Sequence, residues 1–356
     1  MEQFKANPEK SEQKTLERVA ETLKAGFDQL VIHGDFRHEG GKSQLKLRPD
    51  LDAMGGVFLM DLAGINYKMV TFVPKGKDLA GAVHIDTGGK PELTMEEDGS
   101  IFFDHHGPEQ GKPTSATAIV YESLTKAGML KKEKWLDNFS EFVTQIDNLD
   151  YPIDEEFLKN DWWRTPYGIY KALPLSLIAK FFQEGRDPRQ PFAEEEAKQI
   201  TVKESGGKKV NLWDICLQNK GLVQISLNGI EAAKKRMAEG GAKPESAELG
   251  KVLLNIVETT QDPKTGRLKQ RNQIPLGFTA AKALGFDTYA LWSSANSSFF
   301  LTSQTKKLTG VFKKLKDAFL DTQLIRGSMV INPPNEKTSH SPKNAQLGKF
   351  LDYLGI

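Results

Sequence analysis

Arg48-Pro49-Asp50-Leu51-Asp52-Ala53-Met54-Gly55-Gly56 is the stretch on which the fold turns. Two carboxylates, one residue apart, precede a glycine pair and an apolar run to Met60. That order reads as a strand, a tight turn and a helix over residues 50–60. Upstream, residues 44–47 and 30–33 are short β-rich runs separated by the polar, glycine-containing stretch 34–43. Residues 11–25, rich in Glu, Lys, Leu and Ala, read as a surface helix. Downstream, residues 67–73, 81–85 and 100–103 are strand candidates, each closed by Gly, Pro or Asp. Residues 115–130 place Ala116, Ile119, Val120, Leu124, Ala127 and Leu130 at helical spacing, and 139–146 keep that character. Strands alternating with helices predict an α/β fold: a mostly parallel sheet with flanking helices.

The chain has 356 residues, enough for about two domains. Its composition, 38% hydrophobic and 27% charged, is that of an ordinary globular protein. A formal net charge of +1 argues against a surface built throughout for duplex nucleic acid or an anionic membrane, and leaves a local basic groove open. The single cysteine, Cys216, excludes an intramolecular disulfide and a cysteine zinc cluster. Residues 1–23 carry no apolar signal core, and no stretch approaches the ~18 apolar residues of a membrane span, so the expectation is a cytoplasmic protein. Around residues 183–211 the character changes: Gly185, Pro188, Pro191, an acidic run at 194–196 and Gly206-Gly207-Lys208-Lys209 read as a linker. Beyond it, 230–238 and 279–284 look helical, 252–257 strand-like, 290–292 and 298–302 like a strand pair, and 308–324 like a long helix. The expected organisation is a domain over 1–185, a linker over 186–210 and a smaller α/β domain over 211–356.

The chemistry gathers in the first half. Asp50 and Asp52 follow one strand candidate, Asp86 follows a second, and Asp104-His105-His106 a third, while Asp147 closes the helical run 139–146. In a parallel sheet, neighbouring strands open at their carboxyl ends into one crevice, where ligands bind. Carboxylates and imidazoles converging there repel one another unless cations neutralise them, and that donor mix suits Mn²⁺, with Mg²⁺, Co²⁺ or Zn²⁺ as further choices. Two such ions about 3.5–4 Å apart clamp a phosphate and activate water. Taken singly, each motif has a plainer reading: Asp50, Asp52 and Asp86 as turn formers and His105-His106 as an exposed loop pair. Their joint order is what favours a site.

In that order they resemble the DHH phosphoesterase superfamily. Arg48 to Gly56, Ile85-Asp86, Asp104-His105-His106 and Asp147 match its four motifs, and residues 114–122, Thr-Ser-Ala-Thr-Ala-Ile-Val-Tyr-Glu, resemble the small-residue helix start after the Asp-His-His. The likeness covers about the first 185 residues; the remainder resembles the family's smaller substrate-binding domain less specifically. It implies that Asp50 binds a first metal, Asp52 a second, and Asp86 both, with His105 and Asp147 completing the second site. His106 would face the substrate phosphate and Asp104 would orient its neighbours. One departure stands out. The family's histidine four residues before Asp50 is Lys46 here, so either the first site is weakened, or another imidazole takes over, or Lys46 itself holds phosphate, and the expected count is one or two ions. His84, two residues before Asp86 and on the same face of a strand, is one substitute; His33 and His38 are others, if an insertion has displaced the ligand.

In the second half, Arg271, Arg326 and His340 lead the candidates for an anionic substrate, with Asn296, Lys306 and Lys307 beside them, although each alone reads as part of a solvated face. The glycine-rich loop with its histidine is missing; Gly327-Ser328-Met329 and Ser339-His340-Ser341 stand nearest to it. Trp292, Phe299 and Phe300 read as core before they read as a base-stacking surface, and Trp162-Trp163 as a loop pair. The resemblance implies a Mn²⁺-dependent hydrolase of short oligonucleotides or nucleotide phosphates that needs no membrane, its oligomeric state left open. The alternatives are an inorganic pyrophosphatase or polyphosphatase, and a non-catalytic nucleotide-sensing module.

Overall fold

The computed structural model describes residues 8–39, 42–46, 49–74, 76–88, 90–105, 114–148, 150, 154–203, 207–246, 248–261, 268–293, 298–303, 308–318, 323–325, 329–332 and 343–354. The chain divides into two compact units, one comprising Met1–Tyr151 with Tyr170–Gln190, the other Pro152–Ile169 with Pro191–Ile356.

The first unit runs α1 (Pro8–Ala25), β1 (Phe27–His33), β2 (Asp35–Glu39), β3 (Lys42–Lys46), α2 (Leu51–Leu62), β4 (Tyr67–Val73), β5 (Val83–Ile85), β6 (Pro91–Met95), β7 (Ile101–His105), α3 (Ala116–Lys126) and α4 (Lys134–Asp147). Its sheet has the order β4-β1-β5-β7-β6, parallel throughout except for the antiparallel edge strand β6, which sequence reading missed. The continuous apolar runs of β1 and β7 suit strands covered on both faces. Leu30, Ile32, Ile85, Ile101 and Phe103 pack with Ala53, Val57, Met60, Val120 and Leu124 of α2 and α3, while Val31 packs with Val73 and Ala82 in a separate cluster.

One expectation needs correction. Residues 50–60 do not make a strand, turn and helix; Asp50 caps α2 directly, its Oδ1 accepting from Ala53 N at 3.0 Å. Gly55 and Gly56 lie inside that helix, and their use is close approach. A Cβ on Gly55 would sit 2.4 Å from Thr117 Oγ1, and one on Gly56 2.6 Å from Ile85 Cγ2. Within the polar stretch that follows β1, β2 and β3 pair as a hairpin from Asp35↔Lys46 to Glu39↔Lys42, separate from the main sheet.

The second unit contains α5 (Glu155–Lys159) and α6 (Pro166–Ile169). The chain then returns to the first unit for α7 (Leu175–Gln183), whose Phe182 meets Phe139 and Phe142 of α4. The second unit resumes with α8 (Glu194–Gln199), β8 (Thr201–Lys203), β9 (Lys209–Asn211), α9 (Leu212–Arg236), β10 (Ala242–Ser246), β11 (Gly250–Gln261), β12 (Leu268–Arg271), α10 (Gly277–Ala283), β13 (Thr288–Ser293), β14 (Ser298–Ser303), α11 (Thr309–Ala318), β15 (Gln323–Ile325), β16 (Met329–Asn332) and α12 (Lys343–Leu354). Its larger sheet is mixed, in the order β10-β11-β13-β14-β16-β15 with β12 paired to β11; only β11 and β13 run parallel. Residues 183–211 hold α8 and the β8–β9 pair; 230–238 is the end of the 25-residue α9; and the long helix expected over 308–324 stops at Ala318, with β15 beginning at Gln323. Trp292 and Phe299 are core, stacked at 6.3 Å and packed on Phe350. Trp162 is buried in a short 3₁₀ turn.

Candidate metal centre

The carboxyl ends of β1, β5 and β7 lie side by side in the sheet, and each ends in a donor: His33, Asp86 and His105. Helices α2 and α4 bring the rest. Asp50 and Asp52 sit at the start of α2, and Asp147 is the last residue of α4.

Asp52 is the most tightly held. Its Oδ2 accepts from Ala116 N and its Oδ1 from Thr117 N, both at 2.8 Å, so the carboxylate rests on the N-terminus of α3. Thr117 Oγ1 donates to the Asp52 backbone oxygen at 2.7 Å, locking the two helices together. Burial pushes the Asp52 carboxyl up, and the nearby His105 and the two N–H groups oppose that shift.

His33, one of the substitutes considered for the position of Lys46, is the imidazole that lies against Asp50 and Asp86. Its Nδ1 lies 2.6 Å from the Asp86 backbone oxygen, to which it donates, so Nε2 is the nitrogen turned toward Asp50. Nε2 stands 3.2 Å from Asp50 Oδ2, and Nδ1 3.1 Å from Asp86 Oδ2. Burial alone would hold His33 neutral, but hydrogen bonds to Asp50 and Asp86 and their charges outweigh it, raising its pKa to about 10. On the other side, His105 Nε2 is 3.4 Å from Asp52 Oδ2, 3.7 Å from Asp86 Oδ1 and 3.1 Å from Asp147 Oδ2.

Two donor triads therefore emerge, His33–Asp50–Asp86 and Asp52–Asp86–His105, each with ligand atoms within 4.8 Å of one another. Asp86 belongs to both and turns one oxygen toward each. Its φ of 52° is left-handed, a conformation Asp tolerates better than most residues. The following turn is tied down by Gly76 N donating to Thr87 O and Gly88 N donating to Asp104 Oδ2. Carboxylates mixed with imidazoles fit a hard or borderline divalent ion.

The remaining candidates fall in three places. His84 stays outside both triads: its Nε2 is 2.9 Å from Leu79 O, and its ring stacks on Phe102 at 4.4 Å. Burial pushes its pKa down. The strand ends at Ile85, and the left-handed Asp86 breaks the alternation that would have put both on one face. Asp150, three residues beyond Asp147, is exposed. Lys46 ends β3 opposite Asp35, and Arg271 ends β12 opposite Glu258, but their side chains, like that of His38, lie outside the description. His106, Arg326 and His340 lie outside the described residues, as do Asn296, Lys306 and Lys307. The signal that could have chosen His33 is its place at the end of the apolar run 30–32, as Asp86 and His105 end theirs.

No protein-family model matches the chain, and no curated protein matches it significantly. Among solved structures it is similar to a pGpG-specific phosphodiesterase, PggH, from Vibrio, at 11% identity and a TM-score of 0.43, over 92% of this chain and 99% of that one. It is also similar to RecJ from Thermus thermophilus in complex with Mg²⁺, at 15% identity and a TM-score of 0.44, over 96% of this chain and 52% of that one. The chain thus spans about half the length of that RecJ. An exonuclease RecJ bound to manganese matches at 12% identity and a TM-score of 0.40, over 96% and 94% of the two chains. The resemblance to the DHH phosphoesterases rests on the four motifs, whose described residues converge at the ends of β5, β7 and α4 and the start of α2. No described helix is long and apolar enough to cross a membrane.

Proposed function

We propose that the chain is a DHH-type phosphoesterase that uses divalent cations, Mn²⁺ foremost, to hydrolyse short oligonucleotides or nucleotide phosphates. The observation that supports this most is Asp86, shared between two triads that each pair carboxylates with an imidazole. His33 Nε2, Asp50 and Asp86 would hold one ion; Asp52, Asp86 and His105, with Asp147 beside it, would hold the other. Bound there, divalent ions neutralise phosphate charge and lower the pKa of water.

The chain's own residues supply the rest. Asp52 is preset by the N-terminus of α3, and Asp104 positions the turn after Asp86 through Gly88 N. In this reading His106 would act on the substrate phosphate and Lys46 would add positive charge beside it, while Arg271, Arg326 and His340 stay candidates for an anionic ligand in the second unit.

The test is phosphate or nucleotide release with Mn²⁺ from pyrophosphate, a nucleoside 3′,5′-bisphosphate, a dinucleotide and short single-stranded DNA. Asp86→Asn runs beside the wild type, since Asn tolerates the left-handed backbone as Asp does. Nucleotide-containing substrates should be cleaved, and cleavage should vanish in Asp86→Asn. Preference for pyrophosphate would favour the pyrophosphatase alternative, and binding without turnover the sensing module.

A further inference from the structure

The hairpin β2–β3 interrupts the chain between two residues of one triad. His33 is the last residue of β1, β2 begins at Asp35, and β3 ends at Lys46, four residues before Asp50. Its root is fastened at one end, where Gly34 N donates to Val73 O at 2.9 Å. The two strands pair only with each other among the described residues, so both outer edges leave backbone donors and acceptors without strand partners. A five-residue strand reaches roughly 17 Å from such a root. An isolated two-stranded hairpin is marginal in water and gains order from whatever it contacts. In sequence residues 34–46 carry three cations, Arg37, Lys42 and Lys46, against the carboxylates Asp35 and Glu39, while the centre at its root gathers Asp50, Asp52, Asp86 and Asp147.

A metal centre alone engages the phosphate that is cut. Its carboxylates are taken up by the ions they hold, so it offers nothing to the remainder of an anionic substrate. A cation-bearing hairpin rooted at the same spot, its outer edges unpaired among the described residues, supplies the missing contact. We infer that the β2–β3 hairpin is the specificity element of this site: it binds the nucleotide or phosphate beyond the scissile bond and sets which substrate length is held. This rests on the phosphoesterase reading for the location of the scissile phosphate, but its test reads binding alone.

Two variants serve. One replaces residues 35–46 with Gly-Ser-Gly; the other is Arg37→Ala/Lys42→Ala, which keeps the hairpin backbone. Mn²⁺ affinity is measured by calorimetry, and binding of a fluorescein-labelled dinucleotide by anisotropy in Ca²⁺. Both variants should bind Mn²⁺ within about threefold of wild type, and the dinucleotide should weaken at least about tenfold in the replacement and about three- to tenfold in the double variant. Unchanged dinucleotide binding in the double variant would overturn the inference, even if the replacement variant lost its fold. A wild type that binds Mn²⁺ and dinucleotide but cleaves nothing would refute the phosphoesterase reading and leave the hairpin result intact.

Discussion

Gly55→Ala and Gly221→Ala are the same chemical change in two helices, and the structure gives them different effects. Both glycines lie within helices, so alanine brings each the same intrinsic gain of about 1 kcal/mol. At Gly221 the new Cβ meets nothing within 4 Å, and that gain stands alone. At Gly55 the Cβ would lie 2.4 Å from Thr117 Oγ1 and 3.1 Å from Thr117 Cγ2. Thr117 cannot swing aside cheaply: it is fully buried, and its hydroxyl is bonded to Asp52 O. Overpacking of this kind costs about 1–3 kcal/mol. The intrinsic term cancels between the two variants, so they should differ by about 1–3 kcal/mol, with Gly221→Ala stabilised. Because the residues belong to different units, hydrogen exchange of amides in α2 and α9 reads each change in its own surroundings. Thr117→Ala removes the two nearest atoms, so the cost of Gly55→Ala should shrink in that background by about 1 kcal/mol or more. Gly55→Ala should also weaken Mn²⁺ binding, because α2 carries Asp50 and Asp52. Equal effects at the two glycines, or strict additivity with Thr117→Ala, would refute close packing as the reason for Gly55.

Three further outcomes are expected. His33→Ala should remove one Mn²⁺ equivalent in calorimetry, whereas His84→Ala should keep the full stoichiometry; the reverse pattern would return the ligand role to His84. Cys216 is buried and its thiol is pushed up to about 11 by desolvation, with Arg164 opposing. At pH 8 only about one thiol in a thousand is then thiolate, so native alkylation by iodoacetamide should be far slower than in urea and rise with pH; equal rates would contradict the burial. Glu155 is held down to about 2 by hydrogen bonds to Lys159 and Lys234, with their charges adding. A depressed carboxylate stabilises the fold above its unfolded pKa and loses that contribution as pH falls toward 2. The stability gap between wild type and Glu155→Gln should therefore be full above about pH 4.5, close on acidification and shrink in salt; a gap that widens on acidification would be inconsistent with the pairing.

What was legible in the sequence was the part written at strand ends. Apolar runs closed by Asp86 and by Asp104-His105 announce a parallel sheet with its chemistry at one edge, because such strands must be buried while their carboxyl ends open outward. Gly55-Gly56 misled because a glycine pair serves equally for a turn or for a close helix contact, and only tertiary packing decides which. His84 misled because alternation was carried one residue past the end of β5, across a backbone that turns left-handed at Asp86. His33 stayed one substitute among three because the β2–β3 hairpin lies between it and Asp50, seventeen positions further on. In the second half the turn chemistry was too sparse to separate α11 from β15 or to extend α9 back to Leu212.

The central claim is that His33, Asp50, Asp52, Asp86 and His105 together form a centre for two divalent ions. Calorimetric titration of the metal-free protein with Mn²⁺, backed by paramagnetic resonance to count bound ions, tests it most directly. The account predicts two ions in the wild type, and in Asp86→Asn a loss of affinity at both sites at once, since one carboxylate serves both. Two sites lost independently, with Asp86→Asn affecting only one of them, or no Mn²⁺ bound by the wild type at all, would contradict it.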